Sequence, residues 1–541
     1  MKLQSVIDLF LSRRLKRQTR QYLRDLTQSS ASASRKTSSD VLDRLGAADP
    51  TILLGHTTWG NPVHTSLDHV FKGHSFVSGC SGCGKTSFAC GMLESLLKRL
   101  PKERRGFGLI DPKGDLFSGA LFLLARRLKE LNHTDPARAK ELRRRIVICD
   151  FGSRDPITSY NLLSRPQDVE PDFFTFSRAE MLLDLLTGSD KLSLGGTAVL
   201  QKILQLLSEF NLPITYAEEV LSNPAMLDRL VTQSKNELVQ AYFVRQFPDV
   251  PSITVSALQR RLSGLFASQG VRLALSGNTA PDMRRYMDEG RIVLINCFSP
   301  AISRDVRRLL QSLVLTDIRQ AVFARRSPDN TFTWFADEAQ NFFVTDSMCE
   351  SMTDLLRMSR SFGTFFCFLT QNMAAAVPDA RTLNTLYTNV RWSFSMRGEP
   401  SDSAFLKSAF PITGRRRRPK CDPFAAQMFC SPAEERGLQL DEIANLPDRT
   451  GWLWLRSETA EAIAMRTPDI SIPSGREIDE AVAVLRRDPT IGGRISRKTY
   501  DRALADRERK WKALPTDEGD PDLDFAGTYQ KMRGTKGAAN G

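Results

Sequence analysis

From about residue 51 onward, short runs that are apolar at consecutive positions alternate with longer stretches whose apolar residues recur at helical spacing. The runs 74–78, 107–110, 146–149, 292–297, 332–336, 365–369, 392–396 and 452–455 predict strands. Continuous rather than alternating apolar character fits strands covered on both faces, as in a mostly parallel sheet. Between about 166 and 285 no such run appears. That stretch is rich in Leu and helix formers, broken by Gly and Pro, and predicts an all-helical insertion. At the start, Ile7, Phe10, Leu11, Leu15, Tyr22, Leu23 and Leu26 fall near helical spacing and predict an amphipathic helix over 1–26. The Ser/Thr-rich TQSSASASRKTSSD (27–40) then reads as a flexible linker.

The expected organisation is a basic helix and linker over 1–40, a first part of an α/β domain over 51–165, and the helical insertion over 166–285. The α/β domain resumes over 286–470, and 471–541 reads as a charged tail ending in the Gly-rich KMRGTKGAANG.

Charge adds a class of partner. The 541 residues carry 75 Lys+Arg against 62 Asp+Glu, a formal net charge of +13, and a basic excess favours polyanions such as nucleic acid or an acidic membrane surface. Residues 1–36 hold nine Lys/Arg and two Asp, so the first helix suits an anionic membrane or a partner, and equally its own domain. No run approaches the roughly 18 apolar residues of a membrane span, and the opening turns basic too early for a signal peptide. A soluble protein, at most peripheral to a membrane, is expected. The nine cysteines are scattered, which argues against a disulfide framework and for the cytoplasm. The five histidines, all between His56 and His133, form no Cys/His cluster of zinc-ligand spacing.

One motif dominates the chemistry. Gly79-Cys80-Ser81-Gly82-Cys83-Gly84-Lys85-Thr86 satisfies G-x-x-x-x-G-K-[ST], follows the apolar HSFVS and precedes the helical SFACGMLESLLKRL. Glycines let backbone N–H groups turn inward around phosphate, and the helix that follows presents the positive end of its dipole. Lys85 then reaches the β/γ-phosphates and Thr86 holds Mg²⁺, so ATP and Mg²⁺ are the expected ligands.

The run TFTWFADEAQ ends an apolar strand in Asp337-Glu338. Beside a phosphate loop, the first carboxylate serves as a metal ligand and the second polarises the attacking water, which favours hydrolysis over mere binding. The strand 365–369 ends in Thr370-Gln371-Asn372, and Gln371 is placed to sense the γ-phosphate or orient water. Arg357, Arg360, Arg391 and Arg397 each compete as an arginine donated to a neighbouring subunit's nucleotide, against the plainer reading of a solvated surface. The turn Asp111-Pro112-Lys113-Gly114-Asp115-Leu116 lies at a strand's carboxyl end, where ligands bind in open α/β sheets, and is otherwise an ordinary turn. The basic run 415–418 with Lys420 reads as a phosphate-backbone contact or a solvated loop in equal measure. Cys80 and Cys83 make a C-x-x-C by spacing, which the phosphate loop already explains.

Taken in order, several segments resemble the TraG/TraD-like coupling ATPases of conjugation and type IV secretion, within the HerA/FtsK group of P-loop motors. They are the phosphate loop, DPKGDL, ITSYNLL (157–163), EGRIVLINCF, WFADEAQNF, RSFGTFFCFLTQN and IANLPDRTGWLWLR, spanning about residues 51–470. The resemblance implies a RecA-like core with a mostly parallel sheet, an inserted all-α domain, and a homo-hexameric ring around DNA. It places Lys85 and Thr86 on phosphate and Mg²⁺, Asp337 and Glu338 on metal and water, Gln371 as sensor, and Arg360 as the interface arginine. It also implies a relaxase or secretion-channel ATPases as partners, at the inner face of the membrane. Family members usually begin with membrane-spanning helices, and this sequence shows none, so an amphipathic head or a soluble relative is expected instead. The alternative function is an ATP-dependent recruitment switch for protein or nucleoprotein, or a DNA pump or helicase outside secretion.

Overall fold

The computed structural model describes residues 51–99, 105–165, 169–187, 193–298, 304–343, 346–377, 379–417, 428–456, 458–459, 461–470 and 476–512. The expected helix 1–26, the linker 27–40, Arg418, Lys420 and the Gly-rich end lie outside them.

The described strands, in chain order, are β1 (Thr51–Thr57), β2 (Pro62–Ser66), β3 (His74–Ser78), β4 (Gly106–Asp111), β5 (Ile146–Asp150), β6 (Ile292–Asn296), β7 (Phe332–Ala336), β8 (Thr364–Thr370), β9 (Val390–Met396), β10 (Arg416–Arg417), β11 (Met428–Phe429), β12 (Thr450–Leu455) and β13 (Ile463–Arg466). The chain divides into two compact units, one built from 51–99, 338–340 and 365–470, the other from 105–337, 341–364 and 476–512.

In the first unit the strand order is β2-β1-β13-β12-β9-β3-β8. β3 runs parallel to both β8 and β9, whereas β9–β12, β12–β13, β13–β1 and β1–β2 are antiparallel. β3 is buried along its whole length, its polar His74, Ser75 and Ser78 included, as a strand covered on both faces is. β12 instead alternates buried and half-buried residues, so the expectation of two covered faces at 452–455 is corrected: its tryptophans face a wetter side. The helix Lys85–Arg99 is held against the sheet by Phe88, whose ring lies 4.8 Å from Phe394 of β9. Phe76 of β3 meets Tyr387 and Phe405 edge-on at 5.4 and 5.7 Å.

The second unit has the order β7-β4-β6-β5, all parallel. Trp334 of β7 lies flat on Gly108 of β4, where an added Cβ would stand 2.1 Å from the indole. Between β5 and β6 the described residues contain helices and no strand, from Pro171–Thr187 to Met283–Asp288. Their starts are written in the sequence. Ser193, Asn223, Asn236 and Asp282 each cap a helix by accepting a backbone N–H of the first turn, and Pro224 opens the helix after Asn223.

The segment expected as a charged tail carries two helices, Arg476–Arg487 and Arg497–Lys512. The link between them joins the second unit: Ile148 donates to the Gly492 carbonyl (3.0 Å), and Ile157 and Ile495 exchange backbone bonds of 2.8 and 2.9 Å. Val482, Leu485, Ile491 and Tyr500 are buried, and Arg486 pairs with Asp150 at 2.8 Å. High charge concealed an apolar stripe at helical spacing. Among the described residues no helix is long and apolar enough to cross a membrane.

Candidate nucleotide site

The phosphate loop joins β3 to the helix Lys85–Arg99, the strand–loop–helix order that the motif requires. Gly82 and Gly84 have φ of 77° and 109°, values that side-chain-bearing residues rarely adopt. A Cβ on Gly84 would also stand 2.9 Å from Arg449 Cγ. Neighbouring strand ends fasten the loop. Gly79 N donates to Thr370 O (3.2 Å) and Cys80 N to Arg397 O (2.6 Å), and the hydroxyls of Ser78 and Ser395 meet at 2.9 Å in the interior.

Lys85 is 7% exposed, and its ammonium donates to the carbonyls of Gly79 (2.7 Å) and Cys80 (2.8 Å). A buried ammonium lying over a cradle of glycines is a fit for phosphate oxygens, since an anion offers it stronger acceptors than carbonyls do. Thr86 is half-buried at the second position of the helix. Cys83 is buried, with its thiol 3.9 Å from Met396 Sδ, and burial pushes that thiol's pKa up, so it is packing rather than a reactive thiolate.

Glu338 occupies the left-handed region, with φ of 48°. Its two carboxylate oxygens are engaged separately: Oε1 accepts from the side-chain amide of Gln371 and Oε2 from that of Gln340. Gln340 is fixed in turn by Thr370, whose hydroxyl donates to Oε1 at 2.8 Å. The sequence motifs named Glu338 and Gln371 and missed Gln340. The three residues belong to the same unit as the phosphate loop. A buried carboxylate (7% exposed) aimed by two amides is arranged as a proton acceptor of fixed orientation.

Two arginines border the loop from within the chain. Arg397 Nη2 pairs with Asp448 at 2.6 Å and its Nε lies 3.5 Å from Cys80 Sγ. Arg449, also left-handed at φ 65°, donates its backbone N–H to Cys83 O (2.7 Å) and its side chain to Thr467 (3.4 Å), Pro468 O and Asp469. Sequence reasoning passed over Arg449, because a strained backbone at a non-glycine residue leaves no mark in composition. Arg391 lies across Gly73 and donates to Lys72 O at 3.1 Å, away from the loop's own bonds.

In the second unit, Asp337 is buried, and its N–H donates to Ile110 O at 3.0 Å. Arg357 and Arg360 are exposed there. The Asp111 carboxylate accepts from the backbone of Lys113, Gly114 and Phe117 at 2.7 to 2.9 Å. It is therefore the tie that shapes the DPKGD turn and starts the helix Asp115–Thr134, and burial raises its pKa despite those bonds.

Fold and loop together define an α/β protein of the P-loop class. No family model matches the chain, and no curated protein matches it. Among solved structures it is similar to the bacterial conjugative coupling protein TrwBdeltaN70, unbound, at 15% identity and a TM-score of 0.48, over 83% of this chain and 94% of that one. The plasmid coupling protein TrwB in complex with ADP and Mg²⁺ is similar at 15% identity and a TM-score of 0.47, with the same coverage. VirB4 of Thermoanaerobacter pseudethanolicus follows at 14% identity and 0.47, over 78% of this chain and 97% of that one.

Proposed function

We propose that this chain is an ATP-hydrolysing motor that moves DNA, working as a homo-hexameric ring in conjugation or type IV secretion. The observation that carries the hydrolytic part is the Glu338 carboxylate, aimed by Gln371 and Gln340 within the unit that holds the phosphate loop. A protein that only binds nucleotide has no need of an oriented, buried carboxylate there. Gly79, Cys80, Ser81, Gly82, Cys83 and Gly84 would cradle the phosphates, Lys85 would neutralise them, and Thr86 would hold Mg²⁺. The ion's contribution when bound is charge neutralisation on the phosphates. Glu338 takes a proton from water, and Gln371 keeps the carboxylate turned toward that water.

The DNA part is supported by the net charge of +13 and by the sequence resemblance; the ring, the secretion partners and the role of Arg360 are supported by the resemblance alone. The test is steady-state ATP hydrolysis by the purified chain, with and without DNA, alongside Glu338→Gln. A several-fold rise with DNA and its loss in the variant support the reading. Negligible turnover that DNA leaves unchanged favours the recruitment switch.

A further inference from the structure

We propose that Cys80 and Cys83 form a reversible, peroxide-driven disulfide inside the phosphate loop, and that this bridge shuts the loop to nucleotide. The proposal rests on the nucleotide-binding reading above and adds a modification site that controls it.

The backbone brings the two residues together. Cys83 N donates to Cys80 O at 3.5 Å, which closes a turn over Cys80-Ser81-Gly82-Cys83. Gly82 takes the third place of that turn with φ of 77°, a value glycine adopts readily. A four-residue turn holds its first and last Cα atoms within about 7 Å, and a disulfide spans about 4.4–6.8 Å. Both side chains also meet the same short stretch at the end of β9. The Cys80 sulfur accepts from Arg397 Nε at 3.5 Å, and the Cys83 thiol lies 3.9 Å from Sδ of the preceding residue, Met396. The sulfurs are near enough to act on one another: burial does most to raise the Cys83 pKa, and the neighbouring Cys80 thiol adds to it.

Unequal access sets the order of reaction. Among the described residues Cys80 is the one cysteine that is not buried, whereas Cys83 is 0% exposed. Cys80 also stands ahead of a helix N-terminus and beside a guanidinium, the setting in which reactive thiols are found. With its proton given up to solvent, the Cys80 sulfur attacks one oxygen of hydrogen peroxide. The O–O bond breaks, hydroxide leaves and regains a proton as water, and Cys80 becomes a sulfenic acid. Cys83, shielded from peroxide, then resolves it. Its sulfur displaces the hydroxyl group from Cys80, its own proton leaves with that group as water, and the S–S bond forms. Two thiols and one peroxide thus become one disulfide and two waters, and an added dithiol reverses the bridge by exchange.

The bridge removes contacts that the open loop uses. Cys80 must leave Arg397, and Cys83 must leave its packing against Met396 and Gly79, where an added Cβ on Gly79 would stand 2.6 Å from the Cys83 sulfur. The same two residues anchor the loop. Cys80 O accepts from the Lys85 ammonium at 2.8 Å, Cys80 N donates to Arg397 O at 2.6 Å, and Cys83 O accepts from Arg449 N at 2.7 Å. A phosphate cradle works while its N–H groups converge on one point. A cross-link between two of its members turns them away from that point.

The test exposes the reduced full chain to equimolar hydrogen peroxide, with peptide mass mapping and titration of a fluorescent ATP analogue as readouts. The wild type is expected to lose the mass of two hydrogens from the peptide holding Cys80 and Cys83, and to bind the analogue about tenfold more weakly. Dithiothreitol should restore both. Cys80→Ser and Cys83→Ser are each compared with their own reduced form. Cys80→Ser should keep its affinity through peroxide, and Cys83→Ser should hold a sulfenic acid at Cys80 that dimedone traps. If no bridge maps between the two residues, or the bridged chain binds the analogue as tightly as the reduced one, the proposal falls and the nucleotide reading stands. If peroxide weakens Cys80→Ser as much as the wild type, another thiol is responsible and the proposal falls likewise. If the reduced wild type binds no analogue, both fall.

Discussion

The amide of Gln371, at the end of β8, donates to Glu338 Oε1, and that of Gln340 takes the other oxygen. Glu338 and Arg449 are two of the three non-glycine residues with positive φ among the described residues. Left-handed backbone at a charged residue costs about 1–3 kcal/mol and persists where the surroundings impose it. Gln340→Ala frees one side of the carboxylate. Turnover is expected to fall by about tenfold, with KM for ATP near the wild-type value, because the amide is spent on aiming the Glu338 acceptor. A phosphate-release assay over a range of ATP concentrations checks both parameters, and a rise in KM alone would contradict a positioning role.

Gly84→Ala tests the cradle itself. The φ of 109° resists a side chain, and the new Cβ would press on Arg449 Cγ at 2.9 Å. The loop must distort, so affinity for a fluorescent ATP analogue should drop at least tenfold while the fold persists. Titration of the analogue, with circular dichroism as the control, reads the outcome.

The helix Arg476–Arg487 supports the second unit. Leu485 is 2% exposed, and Leu485→Ala leaves a void costing about 2–5 kcal/mol. Urea denaturation should show that loss in the transition reporting the second unit. A midpoint equal to wild type would mean the helix is a dispensable appendage.

His69 gives the chain a pH dependence. It is buried, and burial first, then the Arg391 guanidinium, holds its pKa down at about 4, even with Glu458 2.8 Å from Nδ1. The unfolded chain takes the proton at the ordinary 6.5, before the folded one does. Stability is therefore complete above that value and declines as the pH falls from 6.5 toward 4, by on the order of 3 kcal/mol for this group. Thermal melting across that window should show the decline, and His69→Gln should flatten part of it.

The phosphate loop was legible because its chemistry demands fixed residues at fixed spacing between a strand and a helix. The central strands were legible because burial on both faces leaves a nearly continuous apolar run, as in the IVIC of β5 and the IVLI of β6. β1, β2 and β13 were missed for the opposite reason: Gly55 interrupts β1, and PVHTS mixes polar and apolar residues. Gln340 carries no motif, and its role appears only when Thr370, distant in sequence, sits beside it. The helices after 475 were read as tail because Arg, Asp and Glu outnumber the few residues that pack, Val482 and Leu485 among them.

The bond between Asp150 and Arg486 joins residues 336 apart in sequence, and β1 closes on β13 with His56 opposite Arg466. The first unit cannot finish its sheet from its early part alone, and the second lacks the cover of its last helices until they are made. On the ribosome, strands such as β5 must wait, apolar and incompletely covered, until nearly the whole chain has been made. Loop closure over such separations is slow, so folding of this chain is largely a post-synthetic event and one in which a chaperone has a long interval to act.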